Sequence, residues 1–231
     1  MSLSGLKADI KKLANPAKAK ILARFFKTGP GEYGEGDVFL GLMVPQSRQL
    51  VRQYKSLPLS DVATLLKSPV HEERLIALLI MVAQLYKTPK LIYDTYLSST
   101  KYINNWDLVD LTAPKIVGSY LLDKPHSILL KLAKSDNLWE RRIATMSTFA
   151  FIYQGDPQPT LQIAGLLLKD KEDLIHKAVG WMLREVGKRI SQDTEEDFLK
   201  KHYKVMPRTM LRYAIERFPE SLRRQYLEDR V

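Results

Sequence analysis

"HEERLIALLIMVAQLY" occupies residues 71–86 and "LWERRIATMSTFAFIY" residues 138–153. Both begin with charges, share an Ile-Ala step and end on tyrosine. They lie 67 residues apart, close to two units of ~34, a period used by helical-pair repeats. "DLIHKAVGWMLREVGK" (173–188) continues the pattern. In this register Leu75, Asp110, Arg142 and Lys177 fall at equivalent points, separated by 35, 32 and 35 residues. Each unit is expected to be two antiparallel helices that bury their apolar stripe against neighbours, with one helix of each pair lining a concave surface.

The rest of the chain agrees with an all-α fold. Asn15-Pro16 reads as an N-cap followed by proline at the first helical position. Thr88-Pro89 and Phe218-Pro219 offer similar starts, and Pro125 and Pro207 read as first-turn prolines. No run alternates as a strand should, and no Asn-Gly or Asp-Gly marks a hairpin. Residues 1–231 are expected to form a single helical domain, with a helical N-terminal region over 1–66 and clearer repeats over 67–231. Within the first part, TGPGEYGEGD (28–37) holds four of the eleven glycines and must be a loop. It reads either as a mobile surface connection or as a loop reaching toward a ligand. No Lys-Ser or Lys-Thr pair follows it, so it is not a phosphate-cradling loop.

The chain has 231 residues, 45% of them apolar, which supports a sizeable core. It contains no cysteine, which excludes a disulfide framework and thiolate chemistry and fits the cytoplasm. The N-terminus lacks the apolar run of a signal peptide. The longest apolar run, Leu75 to Ala83, is too short to span a bilayer. Net charge is +10 and unevenly spread: residues 1–27 carry seven cations against one acid, and residues 204–231 seven against four. Basic ends around a balanced body point to a polyanion partner, foremost nucleic acid.

Three stretches carry candidate site residues. In NNWDLVD (104–110), Trp106 and Asp110 are four apart and share a helix face. A core would reject that carboxylate, and solvent would gain little from that indole. In the 173–188 helix, Lys177, Trp181, Arg184 and Lys188 recur on one face, a pairing of cations and indole suited to a polyanion groove. In SDNLWERRIA (135–144), Trp139 and Arg142 are three apart on a helix that Asp136 or Asn137 could cap. Asp110 is the one acid of the strip that Arg142 and Lys177 complete, so it is either a tuning charge or a catalytic one. Other constellations are weaker. The histidines at 71, 126, 176 and 202 show no metal-ligand spacing. Glu72 and Glu73 read as a solvated charged face.

These stretches, with GEYGEGDVFLGLMVPQSRQL (31–50) and KAVGWMLREVGK (177–188), resemble the AlkD-type DNA glycosylases of the DNA alkylation repair family over roughly residues 8 to 225. The resemblance implies a right-handed superhelical solenoid of HEAT-like helix pairs with a basic concave face. It implies hydrolysis of the N-glycosidic bond of N3- and N7-alkylated purines in double-stranded DNA, without base flipping. The catalytic carboxylate falls on Asp110, and the indoles flanking the damaged nucleotide fall on Trp106 and Trp181. Arg142 and Arg184 match DNA-contacting arginines, with Lys177 and Lys188 beside them on the backbone-binding face. Asp107, Tyr33, Trp139 and Arg141 are candidate accessory residues. Some members carry a polar pair where this chain has Met43-Val44. A cationic base leaves without a general acid, so the expectation is a monofunctional, monomeric enzyme that needs neither metal nor cofactor and no lysine nucleophile, acting on chromosomal DNA. The alternative is a non-catalytic HEAT-repeat scaffold that binds DNA or another protein.

Overall fold

The computed structural model describes residues 1–231 and is helical throughout. The single extended feature is an isolated parallel bridge between Val38 and Val70. No helix is long and apolar enough to cross a membrane. The chain divides into two compact units, Met1–Thr112 and Ala113–Val231.

The first unit contains α1 (Leu3–Lys12), α2 (Pro16–Phe25), α3 (Val44–Tyr54), α4 (Leu59–Leu66), α5 (His71–Gln84), α6 (Pro89–Ser98) and α7 (Trp106–Asp110). Its starts follow local chemistry. Asn15 accepts from Lys18 N–H at 3.0 Å and Pro16 opens α2, while Pro89 opens α6. The centre of the unit is α5, which packs against α3, α4, α6 and α7. Twelve of its fourteen residues are buried, so the 71–86 stretch has no solvent stripe, and Leu75 is core.

Burial extends to the charged first turn of α5, which corrects the expectation that Glu72 and Glu73 are solvated: they are 2% and 4% exposed. Buried charges must be paired or hydrogen-bonded, and here each one is. The Glu72 carboxylate accepts from the backbone N–H groups of Leu40, Gly41 and Leu42, the shortest bond 2.7 Å. Lys7 Nζ lies 3.0 Å from Glu73. Arg74 donates to Asp37 at 2.7 Å and to the Ser68 carbonyl at 3.0 Å.

The glycine-rich loop ends in this same cluster. Gly34 N–H bonds to the Lys27 carbonyl at 2.9 Å. A Cβ on Gly34 would sit 2.3 Å from the Phe26 carbonyl oxygen, so only glycine allows the approach. The loop is therefore packed against the end of α2, and it delivers Asp37 into the buried interior.

The second unit contains α8 (Ser127–Ala133), α9 (Leu138–Ser147), α10 (Phe149–Tyr153), α11 (Gln158–Leu167), α12 (Asp173–Arg189), α13 (Gln192–His202), α14 (Arg208–Ala214) and α15 (Glu220–Leu227). Asn137 caps α9, accepting from Trp139 N–H at 2.8 Å. The 138–153 stretch is interrupted at Thr148, where α9 ends and α10 begins. The hydroxyls of Thr145, Ser147 and Thr148 all bond back to carbonyls three or four residues earlier, a pattern that bends helices. The central helix is α12, packed against α9, α10, α11, α13 and α14. It buries Ile175, Ala178, Val179, Met182, Leu183 and Val186. A Cβ on its Gly180 would meet the Met210 carbonyl oxygen at 2.4 Å, which is how α14 comes so close.

Candidate functional site

Helix α7 has five residues, too few to hold itself together in water. Its order comes from anchors. Leu108 and Val109 are fully buried. Asn105, also fully buried, caps the helix by accepting from Trp106 N–H at 2.9 Å. Thr112, just beyond the helix, donates to the Leu108 carbonyl and bonds to the Tyr96 hydroxyl at 3.1 Å. Against this buried side, Trp106 and Asp110 are half-exposed, as their shared spacing requires.

Asp107 points the other way. Its Oδ2 lies 2.9 Å from His71 Nε2, while His71 Nδ1 lies 3.1 Å from Asp37 Oδ2. Asp37 also accepts from Arg74 and, at 3.2 Å, from Asn104. Burial and, to a lesser degree, the Arg74 charge would push the His71 pKa down, but the hydrogen bonds to Asp107 and Asp37 and the Asp107 charge win and raise it to about 9. His71 is therefore an imidazolium at neutral pH, donating to both carboxylates. Burial works to raise the Asp37 carboxyl, but His71 and Arg74 together hold it below the usual carboxylate range.

A column of rings joins the cluster to the indole. Trp106 stacks on Phe26 at 5.2 Å, Phe26 on Phe39 at 5.1 Å, and Phe39 on His71 at 4.5 Å. Phe25 meets Trp106 edge-on at 6.0 Å and is 60% exposed. Burial pushes the Tyr96 phenol up; its bond to Thr112 opposes this and the Asp110 charge adds to it. The Asp110 carboxylate thus projects its field toward a neutral, buried tyrosine.

The sequence reading placed Trp106 and Asp110 on one face, and the structure does so too. It missed Phe25, whose neighbour Phe26 turns inward and leaves it displayed beside the indole. It also left His71 without a role. Tyr33 lies half-buried within the glycine-rich loop.

The second unit holds the remaining candidates. Arg142 is buried and donates to the Leu174 carbonyl at the start of α12. Arg141 forms a forked pair with Asp170 at 2.7 and 3.3 Å and donates to the carbonyls of Ser135 and Asp136. Trp139 is only 8% exposed, so it packs as core. Along α12, Lys177 pairs with Asp173 at 2.6 Å, Trp181 is half-buried 6.3 Å from Phe149, and Lys188 is exposed. Arg184 pairs with Glu216 of the turn after α14 and lies 3.8 Å from Glu185. Arg189 sits over the rings of Tyr153 and Phe149 at 4.4 and 5.3 Å, a further cation on this helix that the sequence reading passed over.

The protein is thus an all-helical molecule that displays an indole and a carboxylate from a short helix pinned by buried ion pairs. It belongs to the DNA alkylation repair enzyme family, whose model matches residues 6–218. Membership implies a DNA repair function with DNA as the substrate. The fold is also that of a solved structure described as a predicted DNA alkylation repair enzyme from Enterococcus faecalis. That structure is 18% identical, matches with a TM-score of 0.70, and the alignment covers 90% of this chain and 97% of that one. No curated protein matches the chain in sequence.

Proposed function

We propose that the protein is a monofunctional DNA glycosylase that hydrolyses the N-glycosidic bond of cationic N3- and N7-alkylpurines in duplex DNA, using Asp110 as its catalytic carboxylate. The observation that carries this reading is the outward face of α7, where Asp110 stands half-exposed one turn from the half-exposed Trp106 while Asp107 turns inward to His71.

The chemistry asks for little more. An alkylated purine already carries positive charge and leaves as a neutral base, so no acid need protonate it. The bond breaks as positive charge grows on the deoxyribose. A carboxylate at about 4 Å stabilises that charge by on the order of 4 kcal/mol at an effective dielectric near 20, or roughly a thousandfold in rate. The same group orients the attacking water. Trp106, with Phe25 edge-on to it, offers an apolar and π-rich wall to the sugar and favours a cation. In the second unit, Trp181 offers a further aromatic contact, and Arg184, Lys177 and Lys188 on α12 supply charge for phosphates, while the buried Arg142 braces the start of α12 through the Leu174 carbonyl. In this reading the helix pairs form a HEAT-like solenoid with a basic concave face.

The test is release of free alkylpurine from methylated duplex DNA, with abasic sites appearing in equal number. Salt-dependent DNA binding with no base release over hours would instead identify a non-catalytic DNA-binding scaffold.

A further inference from the structure

We infer that His71 is a positioning residue: clamped between Asp37 and Asp107, it sets the orientation of α7 and so aims the Trp106 indole and the Asp110 carboxylate at the substrate. This rests on the glycosylase reading for its catalytic consequence, but the clamp itself is a property of the first unit alone.

Four observations carry it. The helix that displays the site is a single turn and lacks cooperative stability of its own. Asp107, three residues before Asp110 and next to Trp106, is a charged anchor of this helix and reaches His71 at 2.9 Å. His71 begins α5, the most deeply buried helix of the unit, so α7 is referenced to the rigid core and not to a surface loop. The ring column from His71 through Phe39 and Phe26 to Trp106 provides a second link to the same indole.

The groups that face the imidazole are Asp107 from α7, Asp37 from the glycine-rich loop and Arg74 from the next turn of α5. Two carboxylates against one guanidinium leave a net negative shell, which the imidazolium balances. A neutral imidazole can donate from only one nitrogen. Loss of the proton therefore breaks one of the two arms and sets one carboxylate Oδ2 against the lone pair of an unprotonated ring nitrogen, a repulsive buried contact that α7 relieves by shifting.

The experiment combines kinetics with spectroscopy. His71→Gln and Asp107→Asn are compared with wild type in single-turnover base release and in DNA binding at neutral pH. The Trp106 indole N–H resonance and the His71 ring signals are followed in the wild-type protein from pH 6 to 10. The inference expects each variant to release base at least about tenfold more slowly with DNA affinity held within about threefold. The double variant should be no slower than the slower single one, since both cut the same clamp. In wild type the indole resonance should move with the same midpoint as the His71 ring. Folded variants that keep the wild-type rate overturn the inference, as does an indole resonance that ignores the His71 titration. If a variant fails to fold, the wild-type titration decides alone. If wild type releases no base at all, the glycosylase reading fails, while the indole titration still decides whether His71 orients α7.

Discussion

The buried imidazolium makes stability fall with rising pH, and the size of the fall can be worked out. His71 is raised from 6.5 to about 9 in the folded protein. A raised pKa means that the native state holds a proton that the unfolded chain has released. Its contribution is complete below pH 6.5, declines through the interval, and is gone above about 9. Each pH unit is worth about 1.4 kcal/mol, so the whole step amounts to roughly 3 kcal/mol. Two other groups set the background. Asp37 is held below the usual carboxylate range, so its contribution is already constant by pH 6. Glu195, pushed up to about 9 by burial in α13, loses stability over an overlapping interval with the same sign. Urea unfolding at half-unit steps from pH 6 to 10, on wild type and His71→Gln, separates them, because the difference between the two proteins removes Glu195. That difference should shrink by about 3 kcal/mol from pH 6.5 to 9. Parallel curves across the interval would refute the assignment of a charged His71.

Three further substitutions have definite expected outcomes. Glu72→Gln weakens the carboxylate nest over Leu40, Gly41 and Leu42, and chemical unfolding should show a loss of about 2 kcal/mol. Gly34→Ala drives a methyl to 2.3 Å from the Phe26 carbonyl oxygen and should lower stability by about 2 kcal/mol or more, seen as a drop in Tm of several degrees. Phe25→Ala removes an exposed ring, so Tm should stay within about a degree, while base release slows by about fivefold or more if the ring lines the substrate.

What the sequence made legible was local. The cap at Asn15 was readable, and the cap of α9 narrowed to Asp136 or Asn137, because a cap bonds within three residues, and the absence of strands followed from missing alternation. The shared face of Trp106 and Asp110 followed from helical spacing. What it hid depended on distant partners. Glu72 and Glu73 looked solvated because the N–H groups of residues 40–42 and the Lys7 ammonium lie thirty or more positions upstream. Asp107 had no evident role because His71, itself held by Asp37, reaches it only in the folded unit. Phe25 and Phe26 are adjacent and chemically alike, and nothing local says which one faces outward. The break at Thr148 was present in the Thr145, Ser147 and Thr148 hydroxyls, but those residues also occur in unbroken helices.

The central claim is that the Asp110 carboxylate stabilises positive charge on the sugar. Replacing it by asparagine keeps the shape and removes the charge. The direct measurement is the single-turnover rate of 7-methylpurine release from duplex DNA by wild type and Asp110→Asn, with DNA affinity and Tm recorded alongside. The account predicts a rate lower by up to about a thousandfold, with affinity and folding nearly unchanged. An amide variant that releases base as fast as wild type would contradict it.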